Sequence, residues 1–319
     1  MKILVTGGAG FIGSHYIHYM LNSYPDVSIV CLDALTYAGS LDNLADIPED
    51  GRFTFVKGNI AVGRTVDRVM REHAPRLIVN FAAETHVDRS IASPDVFTRT
   101  NVLGTSVLLG AAVRHGGVRF HQISTDEVYG SLPPESPERF TELSPLSPSS
   151  PYAASKAAAD LLALSFYKTY GLPVTVSRCS NNYGERQHEE KLIPKAISLA
   201  AKNEAVPIYG TGENVRDWIY VGDHVRAIDL IIREGRIGEI YNIGADCELS
   251  NTAVVKKLLS LLDKPDSLLS YVTDRKGHDL RYAIDHSKLS SELHWEPTVG
   301  FDEGLSITIN GYNSRTLNT

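Results

Sequence analysis

The sequence predicts an α/β fold, a doubly wound parallel sheet with a smaller C-terminal substrate-binding lobe. Three observations carry that expectation. Short apolar strands alternate with helical patterns through the first 180 residues. A glycine-rich turn, Thr6-Gly7-Gly8-Ala9-Gly10-Phe11-Ile12-Gly13, links the first strand to the first helix, and an acid, Asp33, closes the second strand about 20 residues later.

The strands are expected, in order, at Ile3 to Val5, Ser28 to Leu32, Phe53 to Val56, Leu77 to Phe81, Arg119 to Ser124 and Val174 to Arg178. Runs such as Leu77-Ile78-Val79-Asn80-Phe81 lack polar alternation, as strands covered on both faces do. The first helix is expected from near Ser14. Gly7, Gly10 and Gly13 allow the tight turn and the close approach of backbone to a pyrophosphate at that helix's amino terminus. Asp33 would accept the two adenosine ribose hydroxyls and repel a 2′-phosphate, so the expected cofactor is NAD ahead of NADP. A glycine motif alone is weak, but strand, helix and acid in register make it specific.

The fifth strand runs into Ser124-Thr125-Asp126-Glu127-Val128-Tyr129-Gly130, a hydroxyl and two adjacent carboxylates where ligands of such sheets gather. Two close carboxylates do not ionise together readily, so one can serve as acid and the other as base. Without neighbours, the pair would read as a charged turn. Twenty-six residues after Asp126 comes Tyr152-Ala153-Ala154-Ser155-Lys156. Tyr152 and Lys156 share a helix face at i and i+4, and the ammonium, with a cationic nicotinamide, is expected to lower the phenol's pKa so that it can act as a base. The spacing is common by chance; its place, opening the helix after the fifth strand, is what makes it informative. Leu132 to Pro151, with six prolines, is expected to be a loop over the site, since catalytic candidates flank it.

After Arg178 the chain turns to loops rich in Asn, Gly, Pro and charge, with a strand at Glu239 to Ile243 and a helix at Asn251 to Leu262. Residues 1–180 are therefore expected to form the NAD-binding domain and 181–319 mainly a substrate lobe. Part of the latter, Asp217 to Val221 with the helical stretch after it, is a candidate to return to the main sheet.

Net charge is −7 with both signs interspersed, against a nucleic-acid footprint. No apolar run approaches the roughly 18 residues of a membrane span, and Met1-Lys2 leads straight into a strand, so a cytoplasmic protein without membrane partners is expected. Cys31, Cys179 and Cys247 form no C-x-x-C pair and read as buried thiols. His15 and His18 share a helix face without a third ligand, so no metal site is expected.

These residues resemble the extended short-chain dehydrogenase/reductase family, and within it the branch that dehydrates nucleoside-diphosphate glucose. The likeness runs nearly end to end: the glycine turn, Asp33-Ala34-Leu35-Thr36-Tyr37-Ala38-Gly39, Phe81-Ala82-Ala83-Glu84-Thr85-His86-Val87-Asp88-Arg89-Ser90, the Asp126-Glu127 segment, Asn214-Val215-Arg216-Asp217-Trp218 and Arg275-Lys276-Gly277-His278-Asp279. The resemblance implies a Rossmann fold and a hydro-lyase of deoxysugar biosynthesis. Tyr152, assisted by Thr125 and Lys156, would take the 4-hydroxyl proton during C4 oxidation, Glu127 the C5 proton, and Asp126 would protonate the departing C6 hydroxyl. Hydride would return to C6 and NAD would stay bound.

The resemblance also implies cofactor contacts at Gly7, Gly10, Phe11, Ile12, Gly13, Asp33, Leu35, Thr36, Asn59, Ile60, Ala82, Ala83, Thr100, Tyr152, Lys156 and Asn182. Substrate contacts are implied at Thr85, Thr125, Asn181, Lys191, Leu192, Pro207, Tyr209, Arg216, Asn251, Arg275 and His278, with the planar fork of Arg216 suited to a diphosphate. The implied substrate is dTDP-glucose ahead of UDP-glucose. The chain departs from the family pattern at Asn59, Thr85 and Glu185-Arg186, and it lacks a tryptophan-rich stretch from Gly311 to Thr319. A sugar-nucleotide epimerase or decarboxylase on the same scaffold stays open, as does a non-catalytic NAD-binding regulator. A homodimer is expected through the helices around Val96 to Val113 and Ala153 to Tyr170, because the second is apolar over more than one stripe.

Overall fold

The computed structural model describes residues 1–316, with side chains as far as Tyr312; the last three residues of the expected lobe, and with them the last part of the stretch from Gly311 to Thr319, lie outside the described residues. Seven strands form the main sheet in the order β10-β6-β5-β4-β1-β2-β3. They are β1 (Lys2–Thr6), β2 (Ser28–Asp33), β3 (Phe53–Lys57), β4 (Leu77–Asn80), β5 (Arg119–Thr125), β6 (Val174–Cys179) and β10 (Ile240–Ile243), and every pairing is parallel. The order reverses between β1 and β4, where a crevice opens at the strands' carboxyl ends.

Alternation along β1 shows how the two faces are covered. Ile3 and Val5 face one core with Tyr16, Ile17 and Met20 of α1 (Phe11–Ser23) and Val225, Ile228 and Ile231 of α8 (Val221–Glu234). Leu4 faces the other with Val66, Val69 and Met70 of α2 (Gly63–His73) and Leu108, Leu109 and Ala112 of α5 (Thr105–Arg114). The first helix begins at Phe11 rather than near Ser14, so the last glycine of the turn lies inside its first turn.

The helix α4 (Pro94–Phe97), a π-helical turn at Thr98–Gly104 and α5 run on as one helix, Pro94–Arg114. Its mean hydropathy of 1.3 passes the length and composition test for a membrane span, which a search for an uninterrupted apolar run passes over because Asp95 and Arg99 interrupt it. Part of its apolar surface lies against the sheet, where Leu108 and Leu109 are fully buried in the second core, while Val96 and Leu103 are exposed.

The strand holding Asp217, β9 (Val215–Tyr220), is not in the main sheet. It sits in a three-stranded sheet of order β11-β9-β7 with β7 (Asn181–Tyr183) and β11 (Glu248–Ser250). The return to the main sheet is made instead by α8, whose apolar face packs beside α1, and by β10 at the sheet edge. A further core of Ile193, Ile197, Trp218, Leu258 and Leu305 holds the small sheet against α7 (Leu192–Ala201), α9 (Asn251–Leu261) and α11 (Phe301–Thr316). The proline-rich loop is tied down by backbone bonds from Leu132 to Arg281, Phe140 to Ala283 and Asp285 to Phe140, and the Arg281 guanidinium donates to the carbonyls of Ser136 and Glu138.

Candidate active site

The cofactor half is built from backbone. Gly7 has φ +68°, and a Cβ there would stand 2.6 Å from the Ala82 nitrogen; at Gly13 it would stand 2.4 Å from the Gly7 carbonyl. Both contacts are with main chain and cannot yield. The amino end of α1 has no side-chain cap and no acid in its first turn, so its free N–H groups are left for an anion. Asp33 is buried at the end of β2, where Oδ2 accepts the Ala9 N–H at 2.9 Å and Oδ1 the Leu35 N–H at 2.8 Å. Each oxygen keeps a lone pair for a ribose hydroxyl.

One cleft runs past Gly7, Gly10, Phe11, Ile12, Gly13, Asp33, Thr36, Asn59, Ile60, Ala82, Ala83, Thr100 and Asn182 to Thr125, Asp126, Glu127, Tyr152 and Lys156. Leu35 does not line it. Its N–H holds Asp33 and its side chain packs against the α1 core. The Asn59 carbonyl oxygen already accepts the Ala61 N–H at 2.8 Å, leaving one lone pair for an adenine amino group. The π-helical turn places Thr100 on the cleft wall and lets Asn101 bond the Glu84 backbone and the Ser155 hydroxyl. A cradle with no room for a Cβ, an uncapped helix end and an anchored acid fit NAD.

At the crevice, Thr125 ends β5 and Asp126–Tyr129 form a 3₁₀ turn. The Thr125 hydroxyl accepts the Glu127 N–H and donates to Asp126 Oδ1, each at 3.3 Å. Asp126 is 1% exposed and its Oδ2 has no hydrogen-bond partner. Burial, then the charges of Glu127 and Asp217, raise its carboxyl well above the usual range. Burial also raises Glu127, against the pull of Lys191 and Arg216. Tyr152 is the second residue of α6 (Pro151–Tyr170), a helix started by Pro151 at its first position and by the Ser150 hydroxyl accepting the Ala153 N–H.

Burial, Glu127 and Cys179 raise the Tyr152 pKa well above its ordinary value, with the Thr125 hydroxyl opposing, while Lys156 Nζ is turned to the Ile123 carbonyl. The i, i+4 spacing brings the two residues onto one face, but the backbone carbonyl competes for the ammonium.

A second cleft opens on the far side of Glu127. It shares Thr85, Asn181, Asn182 and Lys191 with the first and is walled by Leu192, Pro207, Tyr209, Arg216, Asn251, Arg275 and His278. These come from β8 (Val206–Tyr209), β9, α7, α9 and the loop after β12 (Leu269–Val272). Arg216 lies 4.2 Å over the Tyr282 ring and donates to the carbonyls of Val215 and Asp279, so part of its fork is already engaged. Arg275 pairs with Asp88 at 2.8 Å and His278 with Asp274 at 2.7 Å. Lys191 donates to the Thr85 carbonyl, and burial lowers its pKa against Glu190 and Glu127.

Several residues of this region carried no sequence signal. Glu190 lies at the junction of the clefts with both carboxylate oxygens lacking a hydrogen bond, hidden in the charge run Glu189-Glu190-Lys191. Tyr282, Cys179 and Asp160 are brought to the site only by the fold. His15 and His18 bond the carbonyls of Glu185 and Asn43, and no group of three or more metal-ligating side chains occurs among the described residues.

The profile of the GDP-mannose 4,6-dehydratase family matches residues 4–308. The chain belongs to this family. Within reach of the family, the dTDP-glucose 4,6-dehydratase of Xanthomonas campestris pv. campestris (strain B100) is 48% identical over 97% of this chain and 92% of its own. The crystal structure of DesIV, a dTDP-glucose 4,6-dehydratase from Streptomyces venezuelae solved with NAD bound, superposes with a TM-score of 0.95 at 49% identity, covering 98% of this chain and 97% of that one. The UDP-glucose 4-epimerase of Thermotoga maritima, solved with UDP-glucose, superposes at 0.90 with 31% identity, covering 99% and 100%. A dehydratase and an epimerase share this backbone, so the site has to separate them.

Proposed function

We propose that this chain is an NAD-dependent hydro-lyase that converts dTDP-glucose to its 4-keto-6-deoxy product. The observation that carries the reading is the adjacent pair Asp126 and Glu127, both raised by burial, in one cleft with Thr125 and Tyr152. Epimerisation at C4 needs no acid for a leaving hydroxyl, whereas loss of water needs one.

NAD bound in this cradle would supply the acceptor for hydride from sugar C4 and its source for return to C6. The residues that hold it are the glycine turn, Asp33, Asn59, Ile60, Thr100 and Asn182. Tyr152 takes the 4-hydroxyl proton, with the Thr125 hydroxyl bonding the same oxygen and Lys156 stabilising the phenolate. The C4 ketone acidifies C5–H, and Glu127 removes that proton, then returns a proton to C5 when hydride is added at C6. Asp126, kept protonated by burial, gives its proton to the C6 hydroxyl, which leaves as water. Lys191, Arg216, Arg275 and His278 hold the diphosphate, Leu192, Pro207 and Tyr209 flank the base, and Thr85, Asn181 and Asn251 bond sugar and nucleoside hydroxyls.

The enzyme works in the cytoplasm as a homodimer, with no nucleic-acid or membrane partner. Supporting the dimer, Val96, Leu103 and Leu161 are exposed on the two neighbouring helices. Incubation with dTDP-glucose and UDP-glucose separately tests the function. A product lighter by one water, with alkaline enone absorbance, is expected from the first at lower KM; unchanged or epimerised sugar from both would overturn the reading.

A further inference from the structure

Asp160 lies one turn beyond Lys156 on α6 and has no part in the steps above, yet it is completely buried directly behind the site. Its Oδ2 accepts two bonds, from the Ser124 hydroxyl at 2.9 Å and from Arg178 Nε at 2.9 Å. Its Oδ1 has no hydrogen-bond partner and no exposed surface. Arg178 is itself fixed, with its guanidinium 4.8 Å over the Tyr129 ring, whose hydroxyl donates to Asn242.

An ion pair made only to staple α6 to β6 would leave no carboxylate oxygen idle, because an unpaired buried oxygen is costly. Lys156, on the same helix face at i−4, is a buried ammonium that donates to the Ile123 carbonyl. A carbonyl dipole does not offset a full charge in a dry interior; a carboxylate does.

Resting on the proposed role of Lys156 beside Tyr152, we infer that Asp160 is a positioning residue, the counter-charge that keeps Lys156 an ammonium through the reaction, with Arg178 and Ser124 keeping Asp160 ionised. The other groups around Lys156 are few. On its own helix they are Tyr152 and Ser155, and from β6 Cys179 and Arg178. The turn after β5 adds Asp126 and Glu127, and from the helix packed across α6 come Phe97 against the Tyr152 ring and Asn101, both uncharged. Asp160 is the first of the groups that oppose the effect of burial on Lys156, followed by Cys179. Burial raises the Asp160 carboxyl above its ordinary value; Arg178 and then Lys156 are the charges that pull it back toward the ionised form.

The pH dependence follows from the signs. The active form has Tyr152 deprotonated and Lys156 protonated; with NAD bound, its cationic ring brings the phenol below the ammonium, so C4 oxidation rises with pH through the phenol and falls when Lys156 loses its proton. Removing the Asp160 charge lowers the Lys156 value and leaves the amide oxygen of Asp160→Asn to accept from Ser124 and Arg178. The descending limb of single-turnover C4 oxidation should move to lower pH by roughly one to two units. Asp160→Glu should restore it, and Lys156→Arg in the Asp160→Asn background, which cannot lose its charge, should remove the limb.

A second measurement needs no change at Asp160. In wild-type protein labelled with ¹³C at lysine Cε, and assigned by the signal missing in Lys156→Arg, Lys156 should stay protonated throughout the pH range in which C4 oxidation proceeds. A wild-type Lys156 signal that loses its proton within that range, or a rate loss in Asp160→Asn that is equal at every pH, would overturn the assignment. Absence of any dehydratase activity in wild-type protein would instead sink the proposed function and leave the Lys156 titration standing on its own.

Discussion

The two clefts meet at Glu127 but are made differently. The cofactor side is main chain: a turn in which Gly7 and Gly13 have no room for a Cβ, an open helix end, and one acid anchored by two N–H groups. The substrate side is side chain: Lys191 before α7, Arg216 on β9, and Arg275 and His278 on the loop after β12 converge, and each already holds a protein partner. Backbone sites tolerate almost no change and resist small rearrangements, whereas side-chain sites can be retuned one residue at a time. That contrast accounts for one scaffold serving a dehydratase and an epimerase, both nucleotide-sugar enzymes by name.

The largest expected effect is at the meeting point. Asp126→Asn and Glu127→Gln should each lower steady-state turnover by about 10²–10⁴, the usual worth of a positioned acid or base. Single-turnover C4 oxidation, read as reduced-nicotinamide absorbance, should survive in both. Equal loss of oxidation would mean that these carboxylates do not act after it.

Next comes the intolerance of the cofactor side. Gly7→Ala puts a Cβ on the Ala82 backbone at a positive φ, a strain of about 1–3 kcal/mol, so NAD should bind roughly 10- to 100-fold more weakly by equilibrium dialysis. Unchanged NAD affinity would show that the turn is not the cradle. On the substrate side Arg216→Lys keeps the charge but loses the fork, and KM should rise roughly tenfold with the amount of co-purified NAD unaltered. A fall in NAD content there would erase the division between the halves.

The pH profile sharpens the junction. Glu127 works deprotonated and its pKa is raised, so dehydration should fall with decreasing pH along a limb lying above the ordinary glutamate range. Asp126 works protonated and its pKa is also raised, so dehydration should fall again as pH climbs through it. The two titrate as a pair, and Asp126→Asn should abolish the upper limb of whatever activity it retains. The smallest effect on chemistry is expected at the dimer face. Leu108 is buried in the core, so an arginine there would test folding; Leu103→Arg or Leu161→Arg, both exposed, should reduce the scattering mass from near twice the 35.0 kDa chain toward one chain.

The contrast between halves also decides what the sequence discloses. Strand positions, the glycine turn and Asp33 are local patterns, since burial on both faces of a parallel sheet leaves continuous apolar runs. Thr125, Asp126 and Glu127 are legible because they end such a run. The long-range partners are not. Nothing near Asp160 in the chain points to Ser124 or Arg178, and nothing near Tyr152 shows that its neighbours would raise its pKa rather than lower it. The return of the chain through β10 instead of β9 depends on packing of α8 against α1, which no pattern within Asp217 to Val221 reveals.

The most direct test uses dTDP-glucose carrying deuterium at C4. Removal of hydride at C4, loss of water across C5 and C6, and return of the same hydride within one closed site predict a 4-keto-6-deoxy product with the deuterium at C6. Deuterium recovered at C4 of an inverted or unchanged sugar, or lost to solvent, would contradict the account.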